Sequence, residues 1–323
     1  IRDHLFILYS ILNSVRNKET EPVDLKFFDV SSCFDSLWLE ECCNDLFEAN
    51  IKDDKLALIY EAGQNNIIKI KTPLGETDEL TLNNLVTQGG VLGPLKCSVQ
   101  IDTIGKHAIE TGEHLYTYKN KVKIPPLGFV DDVLDISKCE MDSVVDTAYI
   151  DASFQLKKLT LNKKKCQKIH SGVKNKFCPD LKAHGVIIDK VEDNTYVGDQ
   201  ISIDGKITKT IAARYSKATG VTSQIINILK EVSLGYHFFK MAMVFRNLKF
   251  INSVLINAEV WHSIVEDNLK DFKKADKILL RKILEAPEKT GAMPIQDILK
   301  CCLLYTSDAA DDSLRVDLGG RRI

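Results

Sequence analysis

Leu127-Gly128-Phe129-Val130-Asp131-Asp132-Val133-Leu134-Asp135-Ile136 is the stretch on which the fold turns. Two apolar runs of strand type flank adjacent carboxylates, so the spacing predicts a hairpin with Asp131 and Asp132 at its tip. Like charges held side by side repel, and a divalent cation against them would offset that repulsion, since hard oxygen ligands suit Mg²⁺. An Asp-Asp pair in a tight turn is equally ordinary solvated turn chemistry. The pair alone does not separate the two readings; the rest of the chain has to.

Working outward, the chain before the hairpin supplies another carboxylate in a similar setting. Val23 to Val30 reads as a strand that delivers Asp29 at its end, followed by Ser31-Ser32-Cys33-Phe34-Asp35 and a helix over about 36–50, with Asp35 as its N-cap. An amphipathic helix over 1–18 precedes this strand. A second helix follows over about 55–64, and then a hairpin of strands 67–72 and 79–82 turned by Pro73-Leu74-Gly75. Val86-Thr87-Gln88-Gly89-Gly90-Val91-Leu92-Gly93-Pro94-Leu95 feeds a helix to about 112; paired glycines let a backbone approach a ligand closely, although a plain turn looks similar.

After the hairpin, the pattern gives a helix over 142–158, the basic turn Leu161-Asn162-Lys163-Lys164-Lys165-Cys166, and strands over 167–170, 185–189 and 195–203. Asp135 reads as a solvated strand residue. From Thr208 the pattern changes to long amphipathic helices (about 207–231, 235–267 and 269–285), which sets a domain boundary near Gly205. The chain opens without Met inside a helical pattern, as a fragment does. Residues 301–323 resemble the read-through translation of a sequencing-library adapter and are set aside from fold reasoning.

Composition bounds the class. With 323 residues and 44% hydrophobic content the chain can bury a sizeable core, and the net charge of −2 conceals an asymmetry. Residues 206–300 carry 16 Lys and Arg against 9 Asp and Glu, leaving 27 against 36 elsewhere. A basic helical region beside an acidic one suits a polyanion-binding lobe next to a metal-binding one, and also suits a charged solvated surface. The nine cysteines form no CxxC pair and have no zinc-finger spacing with histidine, which fits buried or idle thiols in a reducing compartment. No apolar run approaches a membrane span, and no signal-peptide pattern opens the chain.

Asp29-Val30-Ser31-Ser32-Cys33-Phe34-Asp35, Gln88-Gly89-Gly90-Val91-Leu92-Gly93-Pro94-Leu95, Phe129-Val130-Asp131-Asp132, Leu161-Asn162-Lys163-Lys164-Lys165-Cys166 and Tyr196-Val197-Gly198 occur in the order and spacing of a reverse transcriptase palm. The sequence most resembles the enzymes of non-LTR, LINE-type retrotransposons. It departs at Val130, where Ala or Met is commoner, and at Thr87-Gln88-Gly89-Gly90, where Pro-Gln-Gly is frequent. The resemblance implies an α+β fold of polymerase right-hand architecture: a ferredoxin-like antiparallel palm with partial fingers over residues 1–205, then an α-helical thumb over 206–300. It implies RNA-directed DNA polymerase activity in target-primed insertion of a retroelement. The rivals are a group II intron type enzyme, which Leu92-Gly93-Pro94-Leu95 disfavours, and a catalytically inactive nucleic-acid-binding remnant.

The resemblance also assigns roles. Asp29 and Asp131 are the expected ligands of two Mg²⁺ ions, with Mn²⁺ as a substitute, and Asp132 is a further ligand or a carboxylate just behind them. Lys165 is expected near the pyrophosphate, unless the lysine run is only a solvated turn. Phe34 is expected to abut the sugar of the incoming nucleotide and leave no room for a 2′-hydroxyl, unless it is a core aromatic. Gln88 and Gly89 are expected at the nucleotide and template, and Tyr196, Val197 and Gly198 at the primer. The implied partners are an RNA template, a DNA primer and dNTPs, with no membrane; the implied location is intracellular, in cytoplasm and nucleus. Basic finger residues of such enzymes would precede residue 1, so the 323 residues by themselves are expected to polymerise poorly.

Overall fold

The computed structural model describes residues 2–64, 66–82, 92–138, 140–171, 180–183, 185–231, 238–261 and 266–284. The elements run α1 (Arg2–Arg16), β1 (Val23–Asp29), α2 (Cys33–Ser36), α3 (Leu39–Glu48), α4 (Asp53–Gly63), β2 (Asn66–Ile68), β3 (Lys71–Thr72), β4 (Gly75–Glu76), β5 (Leu80–Leu82) and α5 (Gly93–Thr111). There follow β6 (Tyr116–Tyr118), β7 (Val122–Ile124), β8 (Leu127–Phe129), β9 (Asp132–Ser137), α6 (Glu140–Leu156), β10 (Gln167–Ser171), β11 (Lys182–Ala183), β12 (Val186–Ile187), β13 (Asp189–Lys190), β14 (Asp193–Tyr196) and β15 (Asp199–Ser202). The last are α7 (Thr208–Glu231), α8 (Phe238–Phe245), α9 (Asn252–Leu255) and α10 (Glu266–Ile283). Among the described residues, those of 10–198 with 202–205 make one compact unit, and those of 2–9, 199–201 and 206–284 make a second.

The first unit is built on a five-stranded sheet of order β13-β10-β1-β9-β8. β1 lies centrally and pairs antiparallel with β10 and β9, β8 pairs antiparallel with β9, and β13 joins β10 in parallel. Because strand side chains alternate, Lys26 and Phe28 share one face of β1 while Phe27 and Asp29 share the other. Phe28 and Val133 meet Ile101 and Ile104 of α5 and Ile150 and Phe154 of α6 in one apolar core. Cys33, Cys42, Cys97 and Cys166 lie in the same core as free thiols, in keeping with the cysteine reading.

Several sequence expectations need correction here. Asp135 is not solvated: it is 2% exposed and ion-paired with Lys26, which stands directly opposite it in register and is itself fully buried. The Lys26 ammonium also donates to Ser137 Oγ (2.6 Å) and the Ser143 carbonyl (3.2 Å), so burial of the pair is accompanied by satisfied hydrogen bonds. The helix expected over 36–50 starts earlier and is interrupted, because Leu37 and Trp38 are extended (ψ 126° and 130°) between α2 and α3. Ser32, at φ 47°, occupies the N-cap of α2, and Asp35 lies inside that helix. The strand over 195–203 is broken at Val197 (φ 45°) and Gly198 (φ 89°). β6 and β7 form a hairpin that the pattern did not announce.

The second unit is helical. The long helix expected over 235–267 is interrupted: α8 passes into a π-helical stretch (Arg246–Ile251), then α9 and a 3₁₀ turn (Ala258–Val260). Asp199, wholly buried, accepts hydrogen bonds from Tyr9 Oη and Trp261 Nε1 (both 2.9 Å), from Arg214 (2.9 Å) and from Asn257 Nδ2 (3.2 Å). A second buried pair, Arg246 with Asp276, is bidentate at 2.6 and 2.7 Å. Among the described residues, no helix is long and apolar enough to cross a membrane.

Candidate active site

The two strands that meet at the sheet centre end together. Asp29, the last residue of β1, stands opposite Asp132, the first residue of β9, and Asp132 is also paired with Phe129 of β8 across the turn. The expected tip is therefore a two-residue connection, Val130 and Asp131, with Asp132 at its strand end. Val130 holds φ 56°, a left-handed backbone that a β-branched side chain disfavours.

Asp29 is mostly buried, and its two oxygens differ. Oδ1 accepts a hydrogen bond from Lys165 Nζ at 3.0 Å, while Oδ2 is buried with no hydrogen-bond partner. Lys165 reaches it from the basic turn, which backbone bonds hold in place: Asn162 N donates to the Asp29 carbonyl (2.8 Å), and Lys165 N to the Asn162 carbonyl (3.0 Å). The hydrogen bond and charge of Asp29 raise the Lys165 pKa further and keep the ammonium charged. Its side chain is 64% exposed against 14% for Asp29, so solvent screens the pair from the lysine's side. Asp132 feels the opposite influence: burial first, then the charges of Asp131 and Asp29, push its carboxyl up to about 6, with Lys165 opposing.

Asp29, Asp132 and Lys165 line one cavity of about 340 Å³ together with Tyr196, Phe27, Gln167 and Asn194. Tyr196 is buried, its ring 5.8 Å from that of Phe27. Val197 and Gly198 form the turn beyond it. Asp131 sits in the hairpin turn, half-buried, beside Asp132. Phe34 is half-buried and packs against the apolar core, as Val130 does, rather than lining this cavity. Gln88 and Gly89 lie outside the described residues. Sequence reasoning missed Asn194 and Gln167, which carry no motif; their only signal is adjacency to Tyr196 and to the basic turn. Among the described residues, no group of three or more His, Cys, Asp or Glu side chains is close enough to hold a metal ion as they stand.

Carboxylates at the ends of central antiparallel strands, with helices packed behind the sheet and a basic turn beside them, define the palm of a right-hand nucleotidyl-transferring polymerase. Residues 9–210, more than half of the chain, match the family described as reverse transcriptase (RNA-dependent DNA polymerase), and the chain belongs to that family. Solved structures with similarity include telomerase from Candida tropicalis with a fragment of telomeric RNA (15% identity, TM-score 0.47, covering 93% of this chain and 52% of that one). Telomerase from Candida albicans with the corresponding fragment is 11% identical at TM-score 0.49, covering 94% and 55%. Apo telomerase from Candida tropicalis is 13% identical at 0.49, covering 92% and 49%. The chain thus spans about half the length of these structures. No curated protein sequence matches it.

Proposed function

We propose that this chain carries the palm of an RNA-templated DNA polymerase of a non-LTR retroelement, acting by nucleotidyl transfer with two divalent cations. The observation that carries the reading is the register pair Asp29 and Asp132, with Asp131 in the adjoining turn and Lys165 on Asp29. The donor chemistry suits a hard cation: Asp29 Oδ2 is buried and unpartnered, and burial with the charges of Asp131 and Asp29 disfavours the ionised form of Asp132. Asp29 and Asp131 would hold Mg²⁺ or Mn²⁺, with Asp132 beside them. Bound there, the cations supply activation of the primer 3′-hydroxyl and neutralise charge on the triphosphate.

The chain's own groups do the rest. Lys165, kept protonated by Asp29, is a charge partner and proton donor for the departing pyrophosphate. Tyr196, Val197 and Gly198 contact the primer strand, Gln88 and Gly89 the nucleotide and template, and Phe34 the nucleotide sugar. The retroelement assignment rests on the sequence segments Leu92-Gly93-Pro94-Leu95 and Phe129-Val130-Asp131-Asp132. Primer extension on an RNA template, by the chain and by longer versions of it, tests the proposal. Asp29→Asn and Asp131→Asn are expected to lower turnover by at least about 10³-fold, with primer–template affinity nearly unchanged. Extension at parental rates by either variant would refute the metal assignment.

A further inference from the structure

The turn that carries Asp131 is anchored by Val130, whose side chain packs against the apolar core. Val130 sits at φ 56°, where a β-branched residue is unfavourable by roughly 1–3 kcal/mol unless its surroundings impose the conformation. What imposes it comes from α5. Cys97 is fully buried, and its thiol donates a hydrogen bond to the Val130 carbonyl at 3.2 Å. One helical turn on, Ile101 packs so closely over β8 that a Cβ added at Gly128 would fall 2.7 Å from Ile101 Cγ2. Gly128 therefore stays bare so that the helix can approach, and the hairpin is pressed from the same helix at two points: one before the turn and one at its strained residue.

The chemistry of Cys97 suits a fixed donor. The neighbouring Cys33 and burial push the Cys97 thiol up from its ordinary value, so the group that faces the Val130 carbonyl is the protonated donor. Cys33 opens the helix that follows Asp29, so the contacts of Cys97 reach both carboxylate-bearing segments. A plain core cysteine needs neither a carbonyl acceptor nor a strained partner.

We propose that Cys97 is a positioning residue for the carboxylate pair: by donating to Val130 O it holds the left-handed turn that aims Asp131 and Asp132 at their shared ligand. This rests on the cation reading above. A thiol is a weak donor. Even so, metal ligation depends on ligand placement to within a fraction of an ångström, and slack in the turn is felt as lost cation affinity.

The test is binding of Mn²⁺ to the full chain, followed by paramagnetic titration, alongside thermal melts with and without Mg²⁺. Cys97→Ala removes the donor and is expected to weaken Mn²⁺ binding about 5- to 20-fold. Cys97→Ser keeps an O–H donor and is expected to stay within about twofold of the parent. Gly128→Ala, which pushes on the same hairpin from Ile101, is expected to weaken binding as Cys97→Ala does. Equal loss in the Ala and Ser variants, or no loss in Cys97→Ala, overturns the positioning role; should Cys97→Ala fail to fold, parental binding by Gly128→Ala or a Ser variant weakened more than fivefold does so. Asp131→Asn separates the two layers of argument. If it leaves Mn²⁺ binding intact, the cation reading falls and takes this inference with it; if it abolishes binding while Cys97→Ala matches the parent, only the role of Cys97 falls.

Discussion

Replacing Asp132 with Asn should stabilise the cation-free protein, and only at pH values where the carboxyl would be ionised. Its pKa in the fold is pushed from the ordinary 3.8 to about 6, by burial and by Asp131 and Asp29. A raised carboxyl pKa means that the folded chain binds more protons than the unfolded one between those values. The contribution of Asp132 is therefore fully present below about pH 4 and is lost as pH rises through 6. Two pKa units correspond to about 3 kcal/mol at full effect, and partial exposure of the side chain reduces this to on the order of 1–2 kcal/mol. For a unit of this size that is a rise of about 3–6 °C in melting temperature. The assay is a pair of melts followed by circular dichroism, in chelator, for parent and Asp132→Asn near pH 8 and again near pH 4.5. The variant should lead near pH 8 and lose most of its lead near pH 4.5, and adding Mg²⁺ should narrow the gap near pH 8 by stabilising the parent more. A variant no more stable than the parent near pH 8, or equally advantaged at both pH values, would refute the picture of an Asp132 carboxylate penalised by burial and by its acidic neighbours.

Three further outcomes are expected. Phe34→Val, in an active extended version, should lower the ratio of kcat/KM for dNTP over rNTP by tenfold or more, each ~1.4 kcal/mol of lost steric discrimination counting tenfold; a constant ratio with a lower melting temperature would leave Phe34 in the core it packs against. Neutralising Lys273, Lys274 and Lys277 on α10 should make the log–log salt dependence of primer–template binding shallower by up to about 3, since each lost phosphate contact removes roughly 0.9 from the slope. An unchanged slope would make these lysines a solvated face. Asp199→Ala should destabilise the helical unit by about 3–5 kcal/mol, because Arg214 would lose its buried partner carboxylate; a melting temperature within about a degree of the parent would show that the unit does not depend on that cluster.

The parts of the site that could be read in the sequence are those where local pattern and chemistry agree. The alternation around Asp131 and Asp132 and the strand ending in Asp29 each announce themselves within ten residues, and the structure pairs those strands with Asp29 opposite Asp132. What escaped depends on partners distant in the chain. Asp135 looks like an outward residue in Asp132-Val133-Leu134-Asp135-Ile136, and only Lys26, brought opposite it by the antiparallel register, makes its burial tolerable. The interruption of the helix expected over 235–267 is of the same kind: Arg246 opens the π-helical stretch and is committed to Asp276, thirty residues away. The bond from Cys97 to Val130 likewise leaves no trace in local pattern, since a cysteine on the apolar face of a helix looks like any other core residue.

These carboxylates divide by the cation that meets them. Asp135 and Asp199 are buried against Lys26 and Arg214, cations that are themselves 5% exposed or less and have nowhere else to go. Their charges are settled when the chain folds, and removing either partner leaves an uncompensated buried charge. Asp29 instead meets Lys165, a cation on a mostly exposed side chain, and keeps one buried oxygen without a hydrogen bond. Asp132 is destabilised in its charged form by burial first and then by the charges of Asp131 and Asp29. On the two faces of β1 this gives a balanced pair facing α6 and an unbalanced set facing the cavity. At the end of the central strands Asp29, Asp131 and Asp132 gather beside the mostly exposed Lys165, whereas the acid three residues further along β9 has a buried cation of its own, and it is on this uneven compensation that the proposed cation site rests.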